Sequence, residues 1–372
     1  NGYASAPVCT PTRTSLMTGR SPGATGITYW TLHHDRDQSA AHPDVAAPPW
    51  RQQGLQPGDV TLAQLLQTGG YRTMHVGKAH LGAKGTPGDD PTSLAFEINI
   101  AGHGAGAPGS FLGTQDFSAE ARRGSRVWDV PGLERWHGQD VYLTEALTAE
   151  ALDVLDEAVA DERPFFLHFA PYAVHTPIMA NPRHVDAYVD LDAREAAYAS
   201  MVASVDEAVG ALIDRLEAHG VLDDTLIVFT SDNGGLSAVA RGGQPHVHNA
   251  PLRSGKGSAY EGGVRVPWIV RWPGRVPAGS RSDVPVITHD LFPTLLAAAG
   301  LDVPAGYAVE GVDLLPLWRR PDAHSNSGAT HARPLFWHMP HFWGVSGPGI
   351  APFSSVRVGH EKLIFWHADG AV

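Results

Sequence analysis

Along the chain, segments with apolar residues at three- and four-residue spacing alternate with short continuous apolar runs, the two patterns that predict helices and buried strands. The clearest helix surrounds Ser200. Tyr198, Met201, Val202, Val205, Val209, Leu212, Ile213 and Leu216 recur at helical spacing, which predicts a core-facing stripe, and Gly220 supplies the stop. It leads into "TLIVFTSDNGG", whose apolar run from Leu226 to Phe229 predicts a buried parallel strand ending in small and polar residues. The same plan occurs twice earlier. A helix from Tyr142 to Val159 passes through Arg163 and Pro164 into "FFLHFAPYAVH", and one at Leu62 to Leu66 passes through Gly69 and Gly70 into "YRTMHVGKAH". Helix and strand in repeated alternation predict an α/β fold, a mostly parallel sheet sandwiched by helices.

Two regions break the pattern. Gly82 to Gly138 is glycine-rich and aperiodic, with "AGHGAGAPGS" its loosest part, and is expected to be a long surface excursion. After a short helix at Asp290 to Leu296, closed by Gly300, "PLFWHM" and "SSVRVGHEKLIFW" read as two or three strands with tight connections. The expected organisation is a main α/β domain over 1–300 and a small C-terminal antiparallel subdomain over 301–372.

Composition adds exclusions. With 372 residues, 43% hydrophobic and 18% charged, the chain can bury a large core. No uninterrupted apolar run approaches the roughly 20 residues that cross a bilayer, so no membrane span is expected, and no stretch has the order of a signal peptide. A net charge of 27 − 39 = −12 argues against general nucleic-acid binding. An anionic substrate would need a local cationic site. The single cysteine, Cys9, forms no intrachain disulfide, so cysteine usage says nothing about redox compartment.

Polar residues gather just past the predicted strand ends: Lys78 and His80, then His175, then Asp232 and Asn233, with Lys256 in "LRSGKGSAYEGG". Each alone has an ordinary explanation, as a satisfied structural histidine, an Asp-Asn-Gly turn or a solvated lysine. Chemistry in α/β sheets sits beyond the carboxyl ends of the strands, and there the set would form an anion site with a hard-cation ligand pair. The chemistry implied is attack on an anionic ester. Cys9 lies in "APVCTPTRTSLMTGR", between two prolines and at the start of a predicted helix. A buried small hydrophobe is its ordinary reading. A thiolate nucleophile paired with His80 or His175 is another, which explains neither Arg13 nor the acid–amide pair.

"CTPTR" at Cys9 to Arg13, continued by "TSLMTGR", resembles the signature of the type I sulfatases, in which Cys-x-Pro-x-Arg directs oxidation of the cysteine to formylglycine. "GKAH", "HTP", "SDNGG" and "GKGSAYEGGVRVP" follow in that family's order, so the resemblance covers nearly the whole chain. It implies an alkaline phosphatase-like fold and a sulfuric ester hydrolase. By the same resemblance, an aldehyde at position 9 hydrates to a diol that attacks sulfur and, with Asp232 and Asn233, ligates Ca2+. Arg13 holds the diol, and Lys78 and Lys256 bind sulfate oxygens. Lys256 and His175 serve the departing alcohol oxygen, and His80 takes the proton from the second hydroxyl. The implied partners are a sulfated saccharide substrate and a formylglycine-generating maturation enzyme, and the implied location is periplasmic or secreted.

The family also carries a paired aspartate on a first strand before the cysteine motif, which nothing in Asn1 to Val8 replaces. The expectation is therefore a fragment of a longer protein, with weak calcium affinity as written. Trp30 in "YWTLHHDRD", His248 in "PHVHN", and His341 and Trp343 in "HMPHFWGVSG" are candidates to rim the site and stack on a sugar, with ordinary loop packing as the alternative. His246 and His248 form a His-x-His without further zinc ligands at suitable spacing. Two other readings stay open: a phosphonate monoester or phosphodiester hydrolase of the same superfamily, and a non-catalytic binding protein on the same fold.

Overall fold

The computed structural model describes residues 1–42, 45–236, 249–321 and 333–372. Its central parallel sheet has β2 (Arg72–Gly77) in the middle, flanked by β3 (Ile98–Ile100) and β4 (Phe165–Ala170). A second parallel pair joins β1 (Gly2–Tyr3) to β7 (Val286–Ile287). Helix α1 (Cys9–Thr18) is buried along most of its length and ends at Gly19, whose φ of 67° gives the left-handed turn that glycine adopts without strain. A single turn, α2 (Pro22–Thr25), and then α3 (Leu62–Thr68) follow. α4 (Leu143–Ala160) packs Leu143, Ala146, Leu147, Ala151 and Val154 into the same core as Met74 and Val76 of β2. α6 (Glu261–Val264) and α7 (Leu291–Ala298) complete the helices that bear on the argument.

The predicted α/β architecture is present, with three local differences. The strand after the Ser200 helix, β5 (Ile227–Thr230), pairs antiparallel with β6 (Trp268–Arg271) and is half-buried rather than a buried parallel strand. An apolar run encodes burial but not direction, which is set by how the next strand enters. The Ser200 helix itself, α5 (Ala193–Ala218), buries Ala196, Ala197, Ser200, Met201, Ser204, Ala208 and Leu216, while Val202 is 47% exposed. Its inner face is a row of small residues, because buried Asn181 docks there: its backbone N–H donates to Ser200 Oγ at 2.9 Å and its side-chain amide to Ser204 Oγ at 2.9 Å. By length and mean hydropathy, α5 alone among the described helices could cross a membrane; here it packs against α4.

The third difference is the largest. Gly82 to Gly138 is not a surface excursion, since Phe96, Phe111, Phe117, Val130 and Leu133 are buried core and "AGHGAGAPGS" is almost entirely inside. Its glycines permit backbone packing that any side chain would block: a Cβ on Gly104 would lie 2.6 Å from Gly82 O, and one on Gly109 2.3 Å from Ala119 N.

At the C-terminal end, β8 (Leu335–Met339), β9 (Phe353–Val358) and β10 (Glu361–Trp366) form the expected antiparallel sheet, in order β10-β9-β8. Leu335, Trp337 and Met339 point inward onto Tyr3, Val8 and Tyr29, while Phe336 between them is 59% exposed, the alternation of a one-sided sheet.

Candidate active site

Cys9 is the first residue of α1, after Val8 in extended conformation, and is 3% exposed. Lys78 and His80 follow β2, His175 follows β4, Asp232 and Asn233 follow β5, and Lys256 lies in the loop before α6. The fold brings these separate strand ends onto α1.

Arg13, one turn into α1, donates from Nε to Asp232 Oδ2 at 2.7 Å and from NH1 to the Lys78 carbonyl at 2.7 Å. Lys78 Nζ lies 3.4 Å from the same Asp232 oxygen. Burial would raise the Asp232 pKa, but Lys78, Arg13 and Lys256 outweigh it and hold the carboxyl well below its usual range. Burial likewise works against ionisation of Cys9, and Lys78, then Lys256 and His80, overcome it, leaving the thiol well below its usual pKa. One carboxylate, Asp232, against Arg13, Lys78 and Lys256 leaves a positive excess around Cys9, the local cationic site that an acidic protein needs to hold an anion.

Two histidine protonation patterns follow from their partners. His80 Nε2 lies 2.6 Å from the Thr31 carbonyl, which only accepts, so Nε2 carries the proton; Nδ1 is buried with no partner among the described residues. His175 Nδ1 faces the Thr176 carbonyl at 3.0 Å and is therefore protonated, so Nε2 accepts from Lys256 Nζ at 3.1 Å. Burial, Lys256 and Lys78 push the His175 pKa well down, which keeps it neutral. The site thus has an unoccupied ring base at His80 and an ammonium held in place by a neutral imidazole at Lys256.

Among the described residues, no three His, Cys, Asp or Glu side chains cluster so as to hold a metal. Asn233 Oδ1, however, is buried without a partner, while its Nδ2 donates to the Gly234 carbonyl at 3.0 Å. The orphaned amide oxygen and the ionised carboxylate one residue before it are two hard oxygen donors of the type calcium takes, out of the roughly six to eight that it binds.

The rim residues fare differently. Trp343 lies against the loop carrying Lys256, since a Cβ on Gly257 would meet its ring at 2.3 Å. A cleft of about 320 Å³ opens beside it, bounded by Ala40, Phe342, Ser346 and Ile350. Trp30 is half-buried against Tyr29 and adjoins Thr31, whose carbonyl holds His80. His341 is fully buried, stacked on Tyr29 at 4.7 Å and bonded to Thr28 Oγ1 at 2.8 Å, so it lies beneath the surface rather than on a rim. His248 lies outside the described residues.

Sequence reasoning missed two supports. The His103 carbonyl accepts the His80 backbone N–H at 3.0 Å, and Gly106 packs against the His80 ring. The only signal was the glycine spacing of "AGHGAGAPGS", which looks the same for an open loop and for a backbone pressed against a ring.

Comparison with known proteins adds the following. A family model described as Sulfatase matches residues 1–301. N-acetylgalactosamine-6-sulfatase of Sus scrofa is 32% identical over 358 residues, covering 92% of this chain and 64% of that protein. Arylsulfatase A of Homo sapiens is 30% identical over 395 residues, covering 99% of this chain and 68% of that protein. The chain therefore spans less than two thirds of the first relative and just over two thirds of the second. Among solved structures, Ps i-CgsB superposes with a TM-score of 0.76 at 28% identity, covering 98% of this chain and 74% of that one, and has also been solved in complex with k-i-k-neocarrahexaose.

Proposed function

The chain belongs to the sulfatase family, and from that premise we propose that it hydrolyses a sulfate ester of a sulfated carbohydrate, with a nucleophile made from Cys9. The observation that carries the reading is the placement of the only cysteine at the start of α1 among Lys78, Lys256 and His80, where the two ammonium groups favour an anion. A saccharide substrate is supported by a relative named for a sulfated amino sugar and by a structural neighbour solved with an oligosaccharide.

Formylglycine at position 9 supplies a hydrated aldehyde as the nucleophile, and calcium held by that group with Asp232 and Asn233 supplies positive charge against the sulfate. The remaining work falls to side chains already in position. Lys78 and Lys256 meet ester oxygens as their charge grows, in a site where burial strengthens each contact. Arg13 fixes the Asp232 carboxylate and the Lys78 carbonyl, keeping both in register with α1. Lys256 carries the proton needed by the departing sugar oxygen, and His175 Nε2 orients it. His80, protonated at Nε2 and open at Nδ1, is the base for the second half of the reaction. Trp343, beside the Lys256 loop, offers a face for the sugar, and Trp30 precedes Thr31, whose carbonyl holds His80. His341, being buried, would act through Tyr29. A periplasmic or secreted location suits a polymeric sulfated substrate.

The test is the mass of the tryptic peptide that contains Cys9 and ends at Arg13, from protein produced with a formylglycine-generating enzyme, followed by sulfate release across a panel of sulfated saccharides. The expected result is the mass of an aldehyde or its hydrate and turnover of at least one saccharide sulfate. An untouched thiol in a competent host would favour the non-catalytic binding reading, and turnover of aryl sulfates alone would remove the carbohydrate.

A further inference from the structure

β2 and β4 run parallel with His75 opposite His168, so both rings lie on the same face of the sheet. The two Nδ1 atoms are 3.0 Å apart, and His75 Nε2 lies 2.9 Å from the Gly77 carbonyl. A carbonyl only accepts, so His75 carries its proton on Nε2. His75 is fully buried, and burial lowers its pKa to about 3, so the ring is neutral and its Nδ1 is a bare lone pair. His168 must then donate from Nδ1. Each tautomer is fixed by its neighbour, and the rings are clamped by Phe96, whose centroid is 5.4 Å from His75 and 6.3 Å from His168, and by Phe166 at 6.4 Å from His168.

The bond to Gly77 reaches the joint where β2 releases the chain into the active site. The Gly77 carbonyl and the Lys78 N–H belong to one peptide unit. His75 holds the carbonyl, and the Ala170 carbonyl of β4 accepts the Lys78 N–H at 2.7 Å. Gly77 has φ of 103°, and a Cβ there would lie 2.1 Å from Ala170 O, so only glycine makes the turn. With both edges of the plane pinned, and the next carbonyl gripped by Arg13, the direction in which Lys78 leaves the backbone is set.

We propose that His75 and His168 are positioning residues, a coupled pair of neutral imidazoles that fixes the Gly77–Lys78 peptide plane and thereby aims Lys78 at the bound anion. The proposal rests on the reading of Lys78 as an anion-binding group. The alternative is that the pair only satisfies a buried and a half-buried ring between strands, in which case its loss would lower stability without acting on Lys78.

The experiment compares His75→Leu, which removes the donor, with His75→Gln, whose amide offers a donor to Gly77 and an acceptor to His168, in full-length protein well below the melting temperature. The binding probe is inorganic sulfate, read by calorimetry, and the structural probe is hydrogen exchange at the Lys78 amide. His75→Leu is expected to weaken sulfate binding at least tenfold and to speed Lys78 exchange at least tenfold, with His75→Gln within threefold of the parent in both. In a Lys78→Met background, His75→Leu should weaken sulfate binding no further. Parental sulfate affinity and Lys78 protection in His75→Leu, or an equal loss with and without Lys78, would overturn the proposal. If the parent protein shows no Lys78-dependent sulfate binding, the functional reading of Lys78 fails; unchanged Lys78 exchange across the variants would then refute the positioning role by itself.

Discussion

Replacing Gly106 with alanine should disable the site through His80 alone. Gly106 is buried and does not have a positive φ, so its backbone accepts alanine. The added Cβ would lie 2.3 Å from His80 Cε1 and Nδ1, whereas heavy atoms in contact rest about 3.5 Å apart, so one partner must yield by roughly 1.2 Å. His80 has little room: its Nε2 is tied to Thr31 O at 2.6 Å, its backbone N to His103 O at 3.0 Å, and its φ is 53°. Overpacking of this kind costs about 1–3 kcal/mol of stability. Displacing a reacting group by about 1 Å costs on the order of 100-fold in rate. In matured protein, Gly106→Ala is expected to remain folded, to melt a few degrees lower, and to lose kcat on a sulfate ester by on the order of 100-fold with little change in KM. Gly58→Ala is the control, because nothing lies within 4 Å of a Cβ there. A Gly106→Ala enzyme with parental kcat would refute the reasoning, as would an equal loss in Gly58→Ala.

Three further outcomes follow from the same structure. Lys256→Met should reduce kcat by about 100-fold or more on a saccharide sulfate, whose alkoxide needs a proton, and far less on a nitrophenyl sulfate; equal losses on both would remove Lys256 from leaving-group protonation. His75, His103 and His341 are held neutral by burial, with pKa values of about 3, 3 and 4 against an ordinary 6.5, so the unfolded chain binds protons that the native chain does not. Their contribution to stability is complete above about pH 6.5 and is lost as pH falls toward those values, each costing about 2 kcal/mol between pH 7 and 5, and urea melts across that range should show a shallower slope in His341→Gln. Gly210→Ala, in α5 with nothing within 4 Å of the new Cβ, should raise stability by about 0.5–1 kcal/mol and leave kinetics unchanged, which a denaturant melt and a rate assay would check.

Much of the site could be read from strand ends. Lys78, His80 and His175 stand out because apolar runs that end in polar residues mark where parallel strands deliver side chains to one edge, and Asp232 because it follows an apolar run of the same kind. The same logic could not see that β5 runs antiparallel, since its partner Trp268–Arg271 is distant in sequence. It misjudged α5 because periodicity favours large side chains, whereas the helix face that matters is the small one that admits Asn181. It misjudged "AGHGAGAPGS" because glycine enrichment is shared by solvated loops and by backbone packed too tightly for a Cβ. His75 and His168 stayed invisible within strands that read as ordinary core, since only the parallel register brings them together.

The measurement that bears most directly on the central claim is hydrolysis of a sulfate ester and a phosphodiester sharing one leaving group, by protein matured with a formylglycine-generating enzyme and by its Cys9→Ala variant. The account predicts turnover of the sulfate ester well above that of the phosphodiester, lost in Cys9→Ala. Preference for the phosphodiester, or sulfate-ester turnover that survives the loss of Cys9, would contradict it.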